Sequence, residues 1–257
     1  MTIGTVLLIL VVGVIAGFLN TVAGGGSLLT MPMFIFLGMP SALANGTNRV
    51  ALTVQGIAAA INFRRKGYFD LKLGLTLGIP AMIGSYLGAK LAIDLPDAIF
   101  NKILAGVMII VLFLIVRQPE QPVEKPEEEL SLPRRILSAI VFFFVGMYGG
   151  FIQAGVGFII IASLSLLTGM SLIKINSLKN FVVLFYMFIS LVVFILEGKV
   201  DWVLGLTLSV GNGIGGWIGS SFVVAKGDKW IRLFLIVVAI IMAAKLLGVF
   251  EYLKQLF

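Results

Sequence analysis

From residue 20 to residue 37 the chain reads NTVAGGGSLLTMPMFIFL, and the reading of this stretch decides the fold. Before it, residues 5–22 form a long apolar segment; within it, residues 28–37 form an apolar run of only ten positions. Ten residues of helix reach about 15 Å, half of the roughly 30 Å hydrocarbon core of a bilayer. Between the two runs, Gly24, Gly25 and Gly26 let the backbone turn sharply and approach other groups closely. The stretch therefore reads as a helical hairpin that enters a membrane and returns without crossing it.

The composition makes lipid the solvent. Of 257 residues, 60% are hydrophobic and 12% charged, against about 25% charged in a soluble domain. So little polar surface cannot cover a soluble globule, which leaves an all-α, polytopic transmembrane bundle. The first 18 residues lack the basic start of a cleaved signal peptide and read as a membrane segment. There is no cysteine and no histidine. That removes disulfides, thiolate metal sites, haem ligation and histidine acid–base chemistry; no metal and no cofactor is expected. The net charge of +7 comes without a basic, aromatic-interleaved stripe. It marks cytoplasmic loops rather than a nucleic-acid surface.

Further apolar segments run over residues 43–63, 71–93 and 99–116. A polar linker follows at 117–135, with four prolines and the acidic run Glu127–Glu129, which reads as a solvated connector. A second set then occupies 136–153, 158–168, 181–196, 202–224 and 231–249, matching the first in number and order. A shift of 131 positions lays Gly26 on Gly157, Gly38 on Gly169, Asn45 on Asn176 and Asp70 on Asp201. The same shift lays Leu73-Gly74-Leu75-Thr76-Leu77 on Leu204-Gly205-Leu206-Thr207-Leu208, and Gly84 and Gly88 on Gly215 and Gly219. A constant register of this kind is a duplication. It divides the chain into a first repeat at 1–116, the linker, and a second repeat at 136–257.

With the hairpin not crossing, three spanning helices remain per half, and an odd number inverts the second half. The loops point the same way. Arg64-Arg65-Lys66 is basic while its counterpart around Glu197 and Asp201 is not; Lys226 to Arg232 is basic while its counterpart from Lys90 to Asp97 is not. Under the positive-inside rule, equivalent loops then lie on opposite sides. The expectation is two inverted repeats with a cytoplasmic linker and both termini external.

Two stretches put polar atoms where lipid would not tolerate them. One is Asn20 with the Gly24–Gly26 run, matched by Gln153, Gly155 and Gly157. A glycine run ahead of a short helix directs free N–H groups and the positive dipole end at one spot, which favours an anion. A tight turn or close helix packing would use the same glycines. The other stretch is Asn45, Asn48 and Arg49, matched by Asn176, Lys179 and Asn180. Each trio stands at i, i+3 and i+4 and shares one helix face. No carboxylate sits nearby on either segment, so the cations call for an anion; snorkelling to the headgroups is the bland alternative. Gly84/Gly88 and Gly215/Gly219 read as helix-packing faces, and Pro80 as a kink or break.

The run from Ala16-Gly17-Phe18 through Ala23-Gly24-Gly25-Gly26-Ser27-Leu28-Leu29-Thr30-Met31-Pro32, with Gly38-Met39 and Ala44-Asn45-Gly46-Thr47-Asn48-Arg49, resembles the TauE/SafE sulfite exporter family. The closing Ala225-Lys226-Gly227-Asp228 fits as well, and the likeness covers nearly the whole chain outside the linker. The resemblance implies a multi-pass inner-membrane permease of two related halves that exports sulfite or an organosulfonate. Its partners would be that small anion and the bilayer, with a homodimer left open. In the second half, Gly155-Val156-Gly157 replaces the triple glycine.

Three other functions are weighed. A permease for another small anion, such as a carboxylate, would use the same groups. An intramembrane enzyme could look to Ser27, Ser85 or Ser220, yet without histidine no Ser–His dyad forms. A scaffold that moves nothing would leave Arg49 and Lys179 unexplained.

Overall fold

A computed structural model describes residues 3–116 and 132–246. Among the described residues there are nine helices and no strand: α1 (Ile3–Val22), α2 (Ser27–Phe36), α3 (Ser41–Arg65), α4 (Leu71–Ile93), α5 (Asp97–Val116), α6 (Leu132–Phe151), α7 (Val156–Thr168), α8 (Leu172–Leu196) and α9 (Trp202–Leu246). The linker at 117–135 lies outside the described residues except for its last four, which open α6. The end of the last expected segment, and with it the C-terminus, also lies outside them.

The chain is inside-out relative to a soluble protein. Leu7, Val11, Ile79, Ile83, Phe144 and Val203 are exposed, while Arg49, Lys179, Asn45 and Asn176 are buried. Such a surface suits lipid, where an apolar exterior carries no penalty. Four helices, α1, α4, α6 and α8, are long and apolar enough to cross a membrane among the described residues. The helices α2 and α7, of 10 and 13 residues, are too short to do so.

Local chemistry starts and stops the elements. Asp70 and Asp201, equivalent in the sequence register, both cap helix N-termini: their carboxylates accept from Leu73 N–H at 2.9 Å and Leu204 N–H at 3.0 Å. The Asp97 carboxylate accepts from Ser41 N–H at the start of α3, 2.9 Å away. Pro80 lies inside α4, which runs on through it rather than breaking there.

One expectation is corrected. The segments 202–224 and 231–249 are not two crossings, because α9 continues through Lys226–Arg232. In the first half Pro96 stands at the equivalent junction, lacks an N–H and ends the ladder, so that α4 and α5 separate. The second half has Ala225-Lys226-Gly227-Asp228 there. A lone glycine costs a helix only about 1 kcal/mol, and nothing else interrupts the hydrogen bonds. The 45 residues of α9 measure roughly 68 Å, so the basic group lies within a helix and not in a loop.

Packing pairs elements across the halves. Helix α1 lies along α9, and α6 lies along α4. In both pairs the expected glycine faces make the contact. A Cβ added at Gly84 or Gly88 would overlap the carbonyls of Phe143 or Met147 on α6; one at Gly215 would overlap that of Val14 on α1, and one at Gly219 would press on Phe18 and Thr21. Helix α3 packs on α9 and α8 packs on α4. The helices α3 and α8 cross in opposite directions: Gly46 meets Phe194, Arg49 meets Ser190, and Gly56 meets Leu184.

Candidate functional site

Two broken helices build the site. At the end of α1 the N–H groups of Ala23 and Gly24 both turn back to the carbonyl of Leu19, at 2.8 and 3.1 Å. Gly24 then takes φ +88, a left-handed conformation that a side chain would resist. At the end of α6, Ile152 and Gln153 turn back to Tyr148 at 3.0 and 3.3 Å. There Gln153 itself takes φ 67, ahead of Gly155 at φ 72. The Tyr148 hydroxyl donates to the carbonyl of Ala154 and pins this second tip. The tips meet: a Cβ on Gly24 would overlap the backbone of Gly157, and one on Gly157 would overlap that of Gly24. Gly25 lies against the Phe158 ring, and Gly26 against the Ala16 carbonyl and Asn20 of its own hairpin.

A helix that stops inside protein leaves its last carbonyls without partners. Here they are met by side chains from the opposite half. Arg49 on α3 donates through Nη1 to Gly149 O at 3.3 Å and through Nη2 to Gly150 O at 2.5 Å, both at the end of α6. Asn45 Nδ2 takes the next carbonyl, Phe151 O, at 2.7 Å. The guanidinium also reaches Asn45 Oδ1 at 3.1 Å and Ser190 Oγ at 2.7 Å, and lies 4.7 Å from the centre of the Phe194 ring. Lys179 on α8 serves α1 in the same way. Its Nζ donates to Asn20 O at 3.1 Å, Thr21 O at 2.7 Å and Asn176 Oδ1 at 2.8 Å. Asn180 Nδ2 adds a bond to Thr21 O at 3.3 Å.

Neither cation snorkels: Arg49 is 0% and Lys179 1% exposed. Neither is bare either, which corrects the expectation of unpartnered positive groups. Among the described residues no carboxylate stands at ion-pair distance from either one. Carbonyl dipoles and the negative helix ends offset part of each charge, and no acid neutralises it. The Asn20 side chain is engaged apart from any ligand, donating to Gln55 Oε1 at 3.0 Å. Gln55 in turn donates to Thr21 Oγ1 at 3.1 Å.

Among the described residues, other buried polar atoms have no protein partner. They are both amide atoms of Asn48 and Gln153, the hydroxyls of Ser27, Thr30 and Tyr186, Nε of Arg49, and the amide of Asn212. Each such atom costs about 1–3 kcal/mol when nothing meets it. Ser27 and Thr30 lie on the first turn of α2, and Gln153 at the tip before α7. Tyr186 lies over the α6 end that Arg49 caps, since a Cβ on Gly149 would stand 3.0 Å from its hydroxyl. Asn212 lies apart, where α9 crosses α1 at Gly17.

Sequence reading brought forward Asn45, Asn48, Arg49, Asn176, Lys179, Asn180, Asn20, Gln153 and the tip glycines. It passed over Gln55, Thr30 and Tyr186. A signal was available. Gln55 and Tyr186 fall on each other in the repeat register, and each stands seven residues, two helical turns, beyond Asn48 and Lys179. Ser85 and Ser220 serve packing: Ser85 donates to Tyr186 O at 2.9 Å, and Ser220 accepts from Asn62 Nδ2 at 2.7 Å. Among the described residues no group of three or more His, Cys, Asp or Glu side chains gathers to hold a metal.

The family model described as "Sulfite exporter TauE/SafE" matches residues 9–246. A "Probable membrane transporter protein" of Haemophilus influenzae is 30% identical over 235 residues, 91% of each chain. "Probable membrane transporter protein YfcA" of Escherichia coli K12 is 32% identical over 240 residues, 92% of this chain and 87% of the relative. "Probable membrane transporter protein YdhB" of Bacillus subtilis is 25% identical over 218 residues, 84% of this chain and 88% of the relative. No solved structure matches the chain. The family is one of transporters, which sets it apart from enzymes. With the match running from the first helix into the last, the chain is a multi-pass membrane transporter and belongs to the sulfite exporter TauE/SafE family.

Proposed function

We propose that this transporter carries a small sulfur-containing anion, sulfite or an organosulfonate, outward across the cell's inner membrane. It does so by alternating access around one site between two inverted repeats, with the linker cytoplasmic and the N-terminus external; with α9 unbroken, the expected external C-terminus no longer follows. The observation that carries the reading is the contact of the two tips at Gly24 and Gly157. It brings the starts of α2 and α7 together, and helix starts present positive dipole ends and free N–H groups. Buried donors without protein partners, at Asn48, Gln153, Ser27, Thr30 and Tyr186, stand on the same elements or beside them. Two cations without acids leave the interior net positive. An oxyanion with several acceptor oxygens answers all three features.

The antiparallel crossing of α3 and α8 supports inversion, because these two helices are equivalent in the repeat register. The exchange of caps between halves supports it too. Sulfite as the cargo rests on the family's description; a carboxylate would meet the same donors. The scaffold reading draws one observation to its side, since the helix-end carbonyls account for Arg49 and Lys179 without a ligand. It leaves the unpartnered amides of Asn48 and Gln153 without a purpose.

Flux in proteoliposomes tests the proposal. Labelled sulfite should exchange against internal sulfite, with competition by organosulfonates above that by acetate. Preferred exchange of acetate moves the cargo to the carboxylate class, and exchange of none of these anions sinks the transport site.

A further inference from the structure

Secondary transporters built from broken helices commonly hold a coupling metal cation at a half-helix C-terminus, on unwound carbonyls. In this chain those positions are already filled. Nζ of Lys179 has three N–H groups and no acceptor, and three oxygens receive it: Asn20 O, Thr21 O and Asn176 Oδ1, at 3.1, 2.7 and 2.8 Å. At the other end, Gly149 O, Gly150 O and Asn45 Oδ1 receive the Arg49 guanidinium. Each set is two carbonyls from a helix end and one amide oxygen from the cation's own helix. Carbonyl oxygens of this kind suit a hard monovalent cation.

We propose that Arg49 and Lys179 are resident cations, covalently tethered in the two positions where sodium or potassium would otherwise bind, so that this chain moves its anion without a metal-cation partner. The inference rests on the transport reading above and names its coupling class. The reason is geometric and electrostatic. A metal ion at either helix end would have to displace an ammonium or a guanidinium from the carbonyls it occupies. A metal ion added beside that side chain would meet like charge in a low-dielectric interior. A tethered cation also stays behind when the anion leaves, so the positive site is regenerated at every cycle without a second binding event.

Two measurements on the wild-type protein test this, and neither needs an altered chain to fold. In detergent, the midpoint of thermal unfolding should be the same in sodium, potassium and choline chloride at one ionic strength, because the two helix-end positions are already taken and no metal ion adds stability there by mass action. A rise specific to sodium or potassium would overturn the inference, even if no anion were ever seen to move. In proteoliposomes, sulfite exchange should keep its rate when choline replaces sodium and potassium on both sides. A fall of about fivefold or more, the lower range of energetic coupling between sites, would overturn it. Absence of exchange in every medium would instead count against the transport reading, leaving the unfolding measurement to decide.

A third arm uses Lys179→Ala, which leaves the same oxygens without their cation. Methylammonium or sodium should then raise the unfolding midpoint of the variant and not of the wild type. A variant that folds and gains nothing from either cation contradicts the proposal. If it fails to fold, the wild-type measurements decide.

Discussion

The guanidinium of Arg49 stands 2.5 Å from the carbonyl oxygen of Gly150, joining the polar face of α3 to the broken end of α6. The two residues are 101 positions apart in the chain and lie in different halves. Lys179 makes the reciprocal connection to Thr21 at 2.7 Å. Each half thus supplies the cation that finishes the other half's first helix.

Removing a cap should be costly. In Arg49→Gln the carbonyls of Gly149 and Gly150 lose a charge-assisted donor, a loss of about 3 kcal/mol. Thermal unfolding in detergent should show a lowered midpoint, with Arg49→Lys in between because it keeps the charge and loses the planar fork. An unchanged midpoint in Arg49→Gln would mean that the cap carries no weight. Sulfite flux should fall in Arg49→Gln and Lys179→Gln, and unchanged flux in both would remove these residues from the transport mechanism.

The contact of the tips can be probed at Gly157. Alanine ordinarily favours a helix over glycine by about 1 kcal/mol, so without the contact Gly157→Ala would stabilise α7. The overlap of its Cβ with Gly24 predicts the reverse, a loss of about 1–3 kcal/mol from overpacking, together with loss of flux. Chemical denaturation gives the sign directly.

Unpartnered polar groups offer a separation of stability from transport. Asn48→Leu and Tyr186→Phe remove buried polar atoms that no protein group meets. Each should leave stability unchanged or raise it by about 1 kcal/mol, while sulfite flux drops about tenfold for each lost ligand contact, taken at about 1.4 kcal/mol. Flux at the wild-type level in both would place the anion elsewhere.

The matching caps at Asp70 and Asp201 make a smaller prediction. Asp70→Ala and Asp201→Ala should each cost about 1 kcal/mol, measured as paired shifts in denaturant midpoint. A cost confined to one of them would mean that the two N-termini are not held alike, despite bonds of 2.9 and 3.0 Å.

Short-range physics made much of this molecule legible in the linear chain. Ten apolar residues after Gly24–Gly26 cannot reach across a bilayer, whatever surrounds them, and α2 is that short. Periodicity alone sets Asn45 and Arg49 on one helix face, and the guanidinium donates to the Asn45 amide oxygen at 3.1 Å. The glycine pairs at 84/88 and 215/219 announced close packing because no side chain stands between backbones there. The junction at Lys226–Arg232 misled, since charge suggested a loop where only an element such as Pro96 would have ended the helix.

Tertiary structure alone decided what the two cations touch. Nothing near Arg49 or Lys179 in sequence foretells that carbonyls a hundred or more residues away will receive them. A helix end advertises its unmet carbonyls by geometry, not by residue type. Residue type sets conformational preference, burial and charge within a few turns. Partnership between distant groups is set by how whole helices cross, and here that crossing turned two apparently lone charges into the fastenings of the opposite half.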